Sequence, residues 1–486
     1  MTSRRTAALA AAPLLVTAAC AVQPRLQEPT VERPPRYVAA ADTSYVQEVP
    51  LDAFWVELGD TTLARLVSAA LAANLDVRAA EARLANARAD RQLAAFDYFP
   101  TVTAAAGYTR QRLSGQSFPG LPGASELDLY DAGVVGSWEI DVFGRIRGNV
   151  AGRSALERAA AEDVRDVRVV LVSEVGRVYY DLRGAQEQLA VAQRNAENQR
   201  RTLQLTQDRL EGGRGTAFDT ERASAQLSAT LARIPELETR IASDVHRIGV
   251  LLGRPPAALT GRLTVAAELP ELPERPRVGT PEQLVRQRPD VRSAERRLAA
   301  ETAFVGAARA EYFPRLEVGG NAGFTAEDFD GIGESETSRY AVGPALSWPL
   351  FDLGRVRARV SAARARAEEA RAAYDQQVLL ALEETETALV TYDRARARLE
   401  LLRESAGASE RAAELARLRF DEGVTDFLQV LDAERTLLEA QDELAIGQTN
   451  AVSAFVALYR ALGGVWPLVT PEDPAREDDE GDGPAG

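Results

Sequence analysis

Among 486 residues there is one histidine (His246), one cysteine (Cys20), one methionine (Met1) and no lysine. Each scarcity removes a class of chemistry. Zinc and iron sites, and Ser-His or Cys-His nucleophile pairs, draw on His and Cys. The sequence therefore reads as non-enzymatic, with no metal and no cofactor. A nucleotide loop of the form G-x-x-x-x-G-K-[ST] cannot be written without lysine. Cations are also outnumbered: 57 Arg against 72 Asp and Glu give a formal net charge of −15, which argues against nucleic acid as a partner. Long apolar runs are missing too. Ala7 to Ala19 is too short to cross a bilayer as a helix and nothing else approaches about 20 residues, so any membrane span must be β.

What is present begins at the N-terminus. Arg4 and Arg5 precede the apolar run, as in a secretory signal, and residues 1–19 are read as signal peptide. The run ends in Val16-Thr17-Ala18-Ala19-Cys20. This resembles the lipobox of bacterial lipoproteins, with Thr17 where Leu is usual; an ordinary signal peptide with an incidental Cys is the alternative. The resemblance makes Cys20 the lipidation residue, carrying diacylglycerol and palmitate, and Ala21 in place of Asp points to the outer membrane of a Gram-negative cell. Residues 20–60 read as a lipid-anchored linker, rich in Pro and charge up to Pro50. Residues 471–486 read as a disordered acidic tail.

An internal repeat sets the architecture. DVRAAEARL from Asp76 recurs as DVRSAERRL from Asp290, and YFP at Tyr98 recurs at Tyr312, both 214 residues on. SWEIDVFGRIR from Ser137 aligns with SWPLFDLGRVR from Ser347, RLEGG from Arg209 with RFDEG from Arg419, and LLG from Leu251 with ALG from Ala461, all 210 apart. A single change of offset means two copies of one unit, residues 61–270 and 271–470, differing by a four-residue loop deletion.

Each copy reads as helix, two strands, very long helix, turn and returning helix. Arg145 to Gly212 contains no proline, and Val175, Leu182, Leu189, Ala196, Leu203 and Leu210 recur every seven residues beside Leu171, Val178, Ala185 and Ala192. That is a coiled-coil seam, on a rod of about 100 Å. In the second rod the seam is read at Ala381, Ala388, Ala395, Leu402, Ser409 and Ala416. The strands alternate: Val102 to Tyr108, Tyr130 to Trp138, Leu316 to Phe324 and Tyr340 to Trp348 each place apolar residues at every second position. Alternation with terminal aromatics suits a transmembrane barrel, since lipid cannot satisfy an open backbone edge. Tyr108, Tyr130, Trp138, Phe324, Tyr340 and Trp348 are the candidate membrane-interface aromatics, with core packing as the other reading of the two tryptophans. Four strands cannot close a bilayer-spanning barrel, so several chains must share one, and a pore favours three or more.

In this order, the duplicated DVR-AE-RL, YFP, S-W with F and GR, R-(F/L)-(D/E)-x-G and the closing Leu462-Gly463-Gly464 resemble the TolC-like outer membrane efflux factors, in the lipoprotein branch that serves resistance-nodulation-division (RND) pumps. The resemblance covers about residues 55 to 466. It implies a homotrimer with a 12-stranded transmembrane β-barrel, a periplasmic α-helical barrel and a central duct. A periplasmic adaptor (membrane fusion) protein would couple it to an inner-membrane RND pump. The implied function is the exit duct of a tripartite efflux system for drugs or other small toxic compounds. The rivals are a duct for type I protein secretion or metal-ion efflux, and a lipid-anchored coiled-coil spacer with no pore.

The resemblance also assigns residues. Leu428, Asp432 and Arg435, spaced i, i+4 and i+7 on one helix face, would form the periplasmic gate. Gly213, Arg214, Gly215 and Thr216 in the first turn, and Gly423, Val424, Thr425 and Asp426 in the second, would be the adaptor-contacting tips. Gly423 suits a helix stop and Thr425 or Asp426 a helix start. Arg222 departs from the acidic pattern at the first tip. His246, without a second ligand nearby, reads as an ordinary helix residue, and Glu368-Glu369 and Glu383-Glu384 as solvated surface.

Overall fold

The computed structural model describes residues 34–39, 45, 55, 58–113 and 125–464. Cys20, the signal peptide, most of the linker, the first strand-to-strand connection and the acidic tail lie outside the described residues. In chain order the principal elements are α1 (Thr61–Ala73), α2 (Leu75–Phe96), β1 (Thr101–Leu113), β2 (Ser125–Ile140), α3 (Arg145–Glu211), α4 (Ala217–Leu251), α5 (Pro281–Gln287), α6 (Pro289–Ala310), β3 (Arg315–Ala326), β4 (Ser338–Ser347), α7 (Leu353–Asp421) and α8 (Phe427–Ala461). Two compact units result. A strand unit comprises Glu81–Glu162 with Arg292–Gln377. A rod unit comprises Asp163–Val291, the chain from Val378 onward and the described residues before Glu81.

In the strand unit the four strands form one antiparallel sheet in the order β1-β2-β3-β4. The register puts every alternating set from the sequence on one face: Ala104 opposes Val134, which opposes Ala322, which opposes Tyr340. The described strands are 13 and 16 residues long in the first copy and 12 and 10 in the second; the first connection, where the four-residue difference between copies was expected, lies outside the described residues.

Two glycines shape the sheet. Gly133 and Gly323 are paired across β2 and β3, and a Cβ on Gly133 would stand 2.6 Å from the Ala322 carbonyl oxygen. Side chains there would force the strands apart. At the base, the Trp138 indole N–H donates to the Tyr98 carbonyl at 2.9 Å and the Trp348 indole N–H to the Tyr312 carbonyl at 3.0 Å. Each tryptophan pins its strand to the YFP turn of its own copy.

In the rod unit the first seam runs as expected through Val175, Leu182 and Ala196, with Leu171, Val178, Ala185 and Ala192 all buried beside it. Towards the tip it thins, and Leu210 is 38% exposed. The second rod corrects the sequence reading. Its deeply buried line is Val378, Thr385, Tyr392, Leu399, Ala406, Ala413 and Phe420, three residues round from most of the expected one. Ala381 and Ala388 are buried, but Ala395, Leu402, Ser409 and Ala416 are only half-buried. Alanine populates both lines, and the large side chains Tyr392, Leu399 and Phe420 decide which faces inward. In the interior of α3, Gly184 lets Thr449 of α8 approach so closely that any Cβ at 184 would collide with its side chain.

All four long helices end alike. Gly213, Gly253, Gly423 and Gly463 take positive φ of 65° to 87°. Behind them the next N–H reaches back to close the helix: Arg214 to Arg209, Arg254 to Gly249, Val424 to Arg419 and Gly464 to Tyr459. This double-bonded stop needs a left-handed residue, hence glycine at the closing position of RLEGG, RFDEG, LLG and ALG.

Candidate functional site

The sheet has one apolar and one polar face. The apolar rows run from Ile140, Leu316 and Leu346 to Tyr108 and Tyr130. Ile140 to Tyr130 is about 34 Å along a strand, or about 26 Å of bilayer at a strand tilt near 40°. Beyond Tyr108 and Tyr130 the same face turns charged, with Arg110 beside Asp128 and Arg112 opposite Glu126; Arg110 donates to Glu126 at 2.7 Å. Tyr108 and Tyr130 meet at a tilt of 39° with ring centres 5.0 Å apart, and Phe329 from the β3–β4 connection meets Tyr130 edge-on at 5.9 Å. Phe329 lies outside the alternating pattern of the strands, so the sequence carries no signal for it. Phe324 sits one row in from that boundary, opposite Ala132, and Tyr340 two rows in, opposite Ala322. Trp138 and Trp348 lie towards the opposite end. The other face carries Thr101, Thr103, Asp131, Ser137, Asn321, Thr325 and Arg339 among glycines.

The helical turns bring the two copies together. After Gly213 and Gly423, Thr216 accepts from the Asp219 N–H and Asp426 from the Gln429 N–H, each at 3.2 Å; Asp426, not Thr425, starts the second returning helix. Phe420, Phe427, Val430, Leu431 and Ala223 make a small buried core, and Arg209 lays its guanidinium 3.9 Å from the Phe420 ring centre. Arg222 stands over Phe218 at 5.6 Å. One helical turn on, Glu434 is buried and accepts from Arg417 at 2.9 Å and Thr202 at 3.2 Å. Leu428, Asp432 and Arg435 point away from this core and are exposed. Arg435 donates to Asp432 at 2.9 Å and to Glu439 at 3.2 Å. The expected gate residues thus share a face free of the chain's own packing.

At the other end of the returning helices, one position in each copy holds a helix end. Asn74 donates to the Leu251 carbonyl at 2.9 Å, and Arg288, 214 residues on, donates to the Ala461 carbonyl at 2.7 Å. Arg288 also grips Asp290 with two bonds, at 3.0 and 2.7 Å, and Glu384 at 2.7 Å. The linker docks here as well. Glu386 accepts the N–H groups of Val38 and Ala39, Tyr45 donates to the Leu389 carbonyl, and Tyr37, Tyr45 and Trp55 are buried. The described residues of the linker are packed here through these three aromatic side chains. His246 is exposed on α4 at the rim of a groove of about 460 Å³ lined by Leu189, Ile241 and Val245.

Burial, reinforced by Asp290 and opposed by Arg288, pushes the Asp166 carboxyl up from 3.8 to about 6. The folded protein then holds this proton more tightly than the unfolded chain. The associated stability is complete below pH 3.8 and is lost as the pH rises to about 6. Asp166→Asn should therefore raise the unfolding temperature at pH 7.5 and leave it nearly unchanged at pH 4. Equal shifts in thermal melts at both pH values would contradict this.

The family model described as outer membrane efflux protein matches residues 66–254 and again 280–464. The matched segments start 214 residues apart and end 210 apart, the same offsets as the motif pairs. The chain belongs to the outer membrane efflux protein family. This efflux protein is 32% identical over 412 residues to the solvent efflux pump outer membrane protein SrpC of Pseudomonas putida, covering 84% of this chain and 86% of that one. It is 32% identical over 452 residues to the outer membrane protein OprJ of Pseudomonas aeruginosa, covering 90% and 92%. Among solved structures, the outer-membrane channel OprN is 41% identical and superposes with a TM-score of 0.86 over 92% of this chain and 99% of that one. The fold is that of the TolC-like channels, an α-helical barrel joined to a β-barrel. The efflux protein is a channel of the outer membrane and an exit duct, not an enzyme.

Proposed function

We propose that three copies of this efflux protein close one twelve-stranded barrel and one helical duct, forming the exit of a tripartite system driven by an inner-membrane RND pump. The observation that carries the reading is the open sheet. β1 and β4 are both edges, and the apolar residues of β4 are among the most exposed in the chain, with Tyr340 85% and Val342 76% exposed. Further copies satisfy both edges at once, β4 of one against β1 of the next, and leave no backbone open to lipid. The polar face then lines the bore. A periplasmic adaptor engages the exposed turns at Gly213–Thr216 and Gly423–Asp426. The cargo is a class of small toxic organic compounds, a reading supported by the names of relatives such as the solvent and toluene efflux proteins. Energy comes from the pump, since the duct offers no nucleotide loop.

The resting entrance is closed by Leu428, Asp432 and Arg435 from each copy. Three carboxylates around a narrow opening attract cations and are held by the neighbouring guanidiniums. Asp432→Ala should raise single-channel conductance in planar bilayers and weaken cation preference, whereas Glu368→Ala should do neither. If both conduct like the parent, the constriction lies elsewhere.

Cys20 carries diacylglycerol and palmitate, tethering the docked linker to the outer membrane. Mass spectrometry of the purified N-terminal peptide should find the thioether-linked lipid, and an unmodified N-terminus at another residue would remove the claim. Cys20→Ser should still assemble, because an inserted barrel anchors far more strongly than one lipid group.

A further inference from the structure

On the polar face of the sheet, four side chains from three strands form one closed cluster. Thr325 on β3 donates its hydroxyl to Asp131 on β2 at 2.6 Å. Arg339 on β4 donates from Nε to that same Thr325 oxygen at 2.6 Å, from Nη1 to Asn321 at 3.3 Å and from Nη2 to Asp131 at 3.3 Å. The hydroxyl uses its one proton and one lone pair, so the bridge is complete in a single orientation. Arg339 stands opposite Gly323, which in turn pairs with Gly133. With no side chain at either glycine, the floor between the strands is bare, and the arginine reaches across it to β2.

We infer that Asp131 and Thr325 are positioning residues that hold Arg339 flat against the wall of the duct, and that this clamp sets the charge selectivity of the barrel. The inference rests on the three-copy duct reading, in which the polar face is the bore. Arg339 is a long cation on an otherwise small surface: its strand neighbours on that face are Ala341 and Gly343, and across the sheet lie Gly133, Gly319 and Gly323. Released, three guanidiniums would reach into the bore and make an anion site. Clamped beside Asp131, they are neutralised and leave the bore clear. The remaining charges on this face, Glu139, Arg315 and Glu317, lie near the opposite ends of the strands, and Glu139 is held by Arg145 at 2.6 Å. Arg339 and Asp131 are therefore the charged pair that this face of the strands carries towards the β3–β4 connection.

Purified parent and variant channels in planar bilayers, with citrate added from the barrel side, test this. Asp131→Asn should introduce a voltage-dependent block by citrate and shift the reversal potential in a KCl gradient towards that of chloride. Thr325→Val, which removes the bridge without changing any charge, should introduce a weaker block of the same kind. Adding Arg339→Gln to either variant should abolish the block. If Asp131→Asn and Thr325→Val both conduct and neither is blocked more than the parent, the clamp has no such role. If Asp131→Asn fails to assemble, Thr325→Val decides alone. Where the closed entrance keeps the parent silent, the same comparisons are made in the Asp432→Ala background; if neither the parent nor Asp432→Ala passes current, the duct reading itself is overturned, a result distinct from an unaltered block.

Discussion

Arg288→Ala should lower stability by about 3 kcal/mol, clearly more than the 1 to 2 kcal/mol expected for Asn74→Ala at the equivalent place in the first copy. The Arg288 side chain is 8% exposed, and its guanidinium holds Asp290 with two bonds and donates to the last-turn carbonyl of α8 at Ala461. Its removal takes both guanidinium bonds from the partly buried Asp290 carboxylate, and leaves the Ala461 carbonyl with the Thr385 hydroxyl at 3.2 Å in place of a charged donor at 2.7 Å. Glu384 returns to water at little cost, since half of its side chain is already there. The Arg288 stem also packs under Gly463, so truncation leaves a void as well as lost bonds. Chemical denaturation of the detergent-solubilised protein, followed by far-UV circular dichroism, measures both variants. A smaller effect for Arg288→Ala than for Asn74→Ala would show that the cation is not what holds this corner.

The second large effect concerns neighbouring residues on opposite sheet faces. Val134→Arg should block assembly into membranes at about 2 to 4 kcal/mol per chain, because Val134 lies mid-strand on the apolar face between Ala104 and Ala322. Val135→Arg, one residue on, should be tolerated, since it joins Thr103 and Asn321 on the polar face. The β period of two makes the contrast sharp. Protease protection of each variant in outer membrane vesicles is the measurement. Equal insertion of the two, or worse insertion of Val135→Arg, would reverse the assignment of faces.

Much of this was readable without coordinates. Repetition at fixed offsets locates the copies, period-two alternation assigns the faces of all four strands, and glycine marks the helix stops, because each signal is local and periodic. What escaped is non-local. Whether Tyr392 or Ala395 faces the core of α7 depends on the helices packed around it. Asn74 and Arg288 look like ordinary residues before a DVR motif until the carbonyls of Leu251 and Ala461 are placed beside them. Val38 and Tyr45 lie in a stretch whose composition suggests an extended linker, yet their partners Glu386 and Leu389 come from more than 340 residues further along the chain. The tip, finally, was legible as a turn but not as a core, since Ala223 and Phe420 belong to different copies.

The pairing of β2 with β3 has a consequence for biogenesis. Tyr130 lies beside Ala326, so the central seam of the sheet joins strands from different halves of the gene product. Local helices and the two separate hairpins can form as the chain emerges. The four-stranded sheet must wait until the second half has been made, and closing so long a loop is slow. During that interval a broad greasy surface with unsatisfied edges is displayed in an aqueous compartment, the condition under which chains aggregate. The order of events this imposes is rods and hairpins first and the four-stranded sheet last.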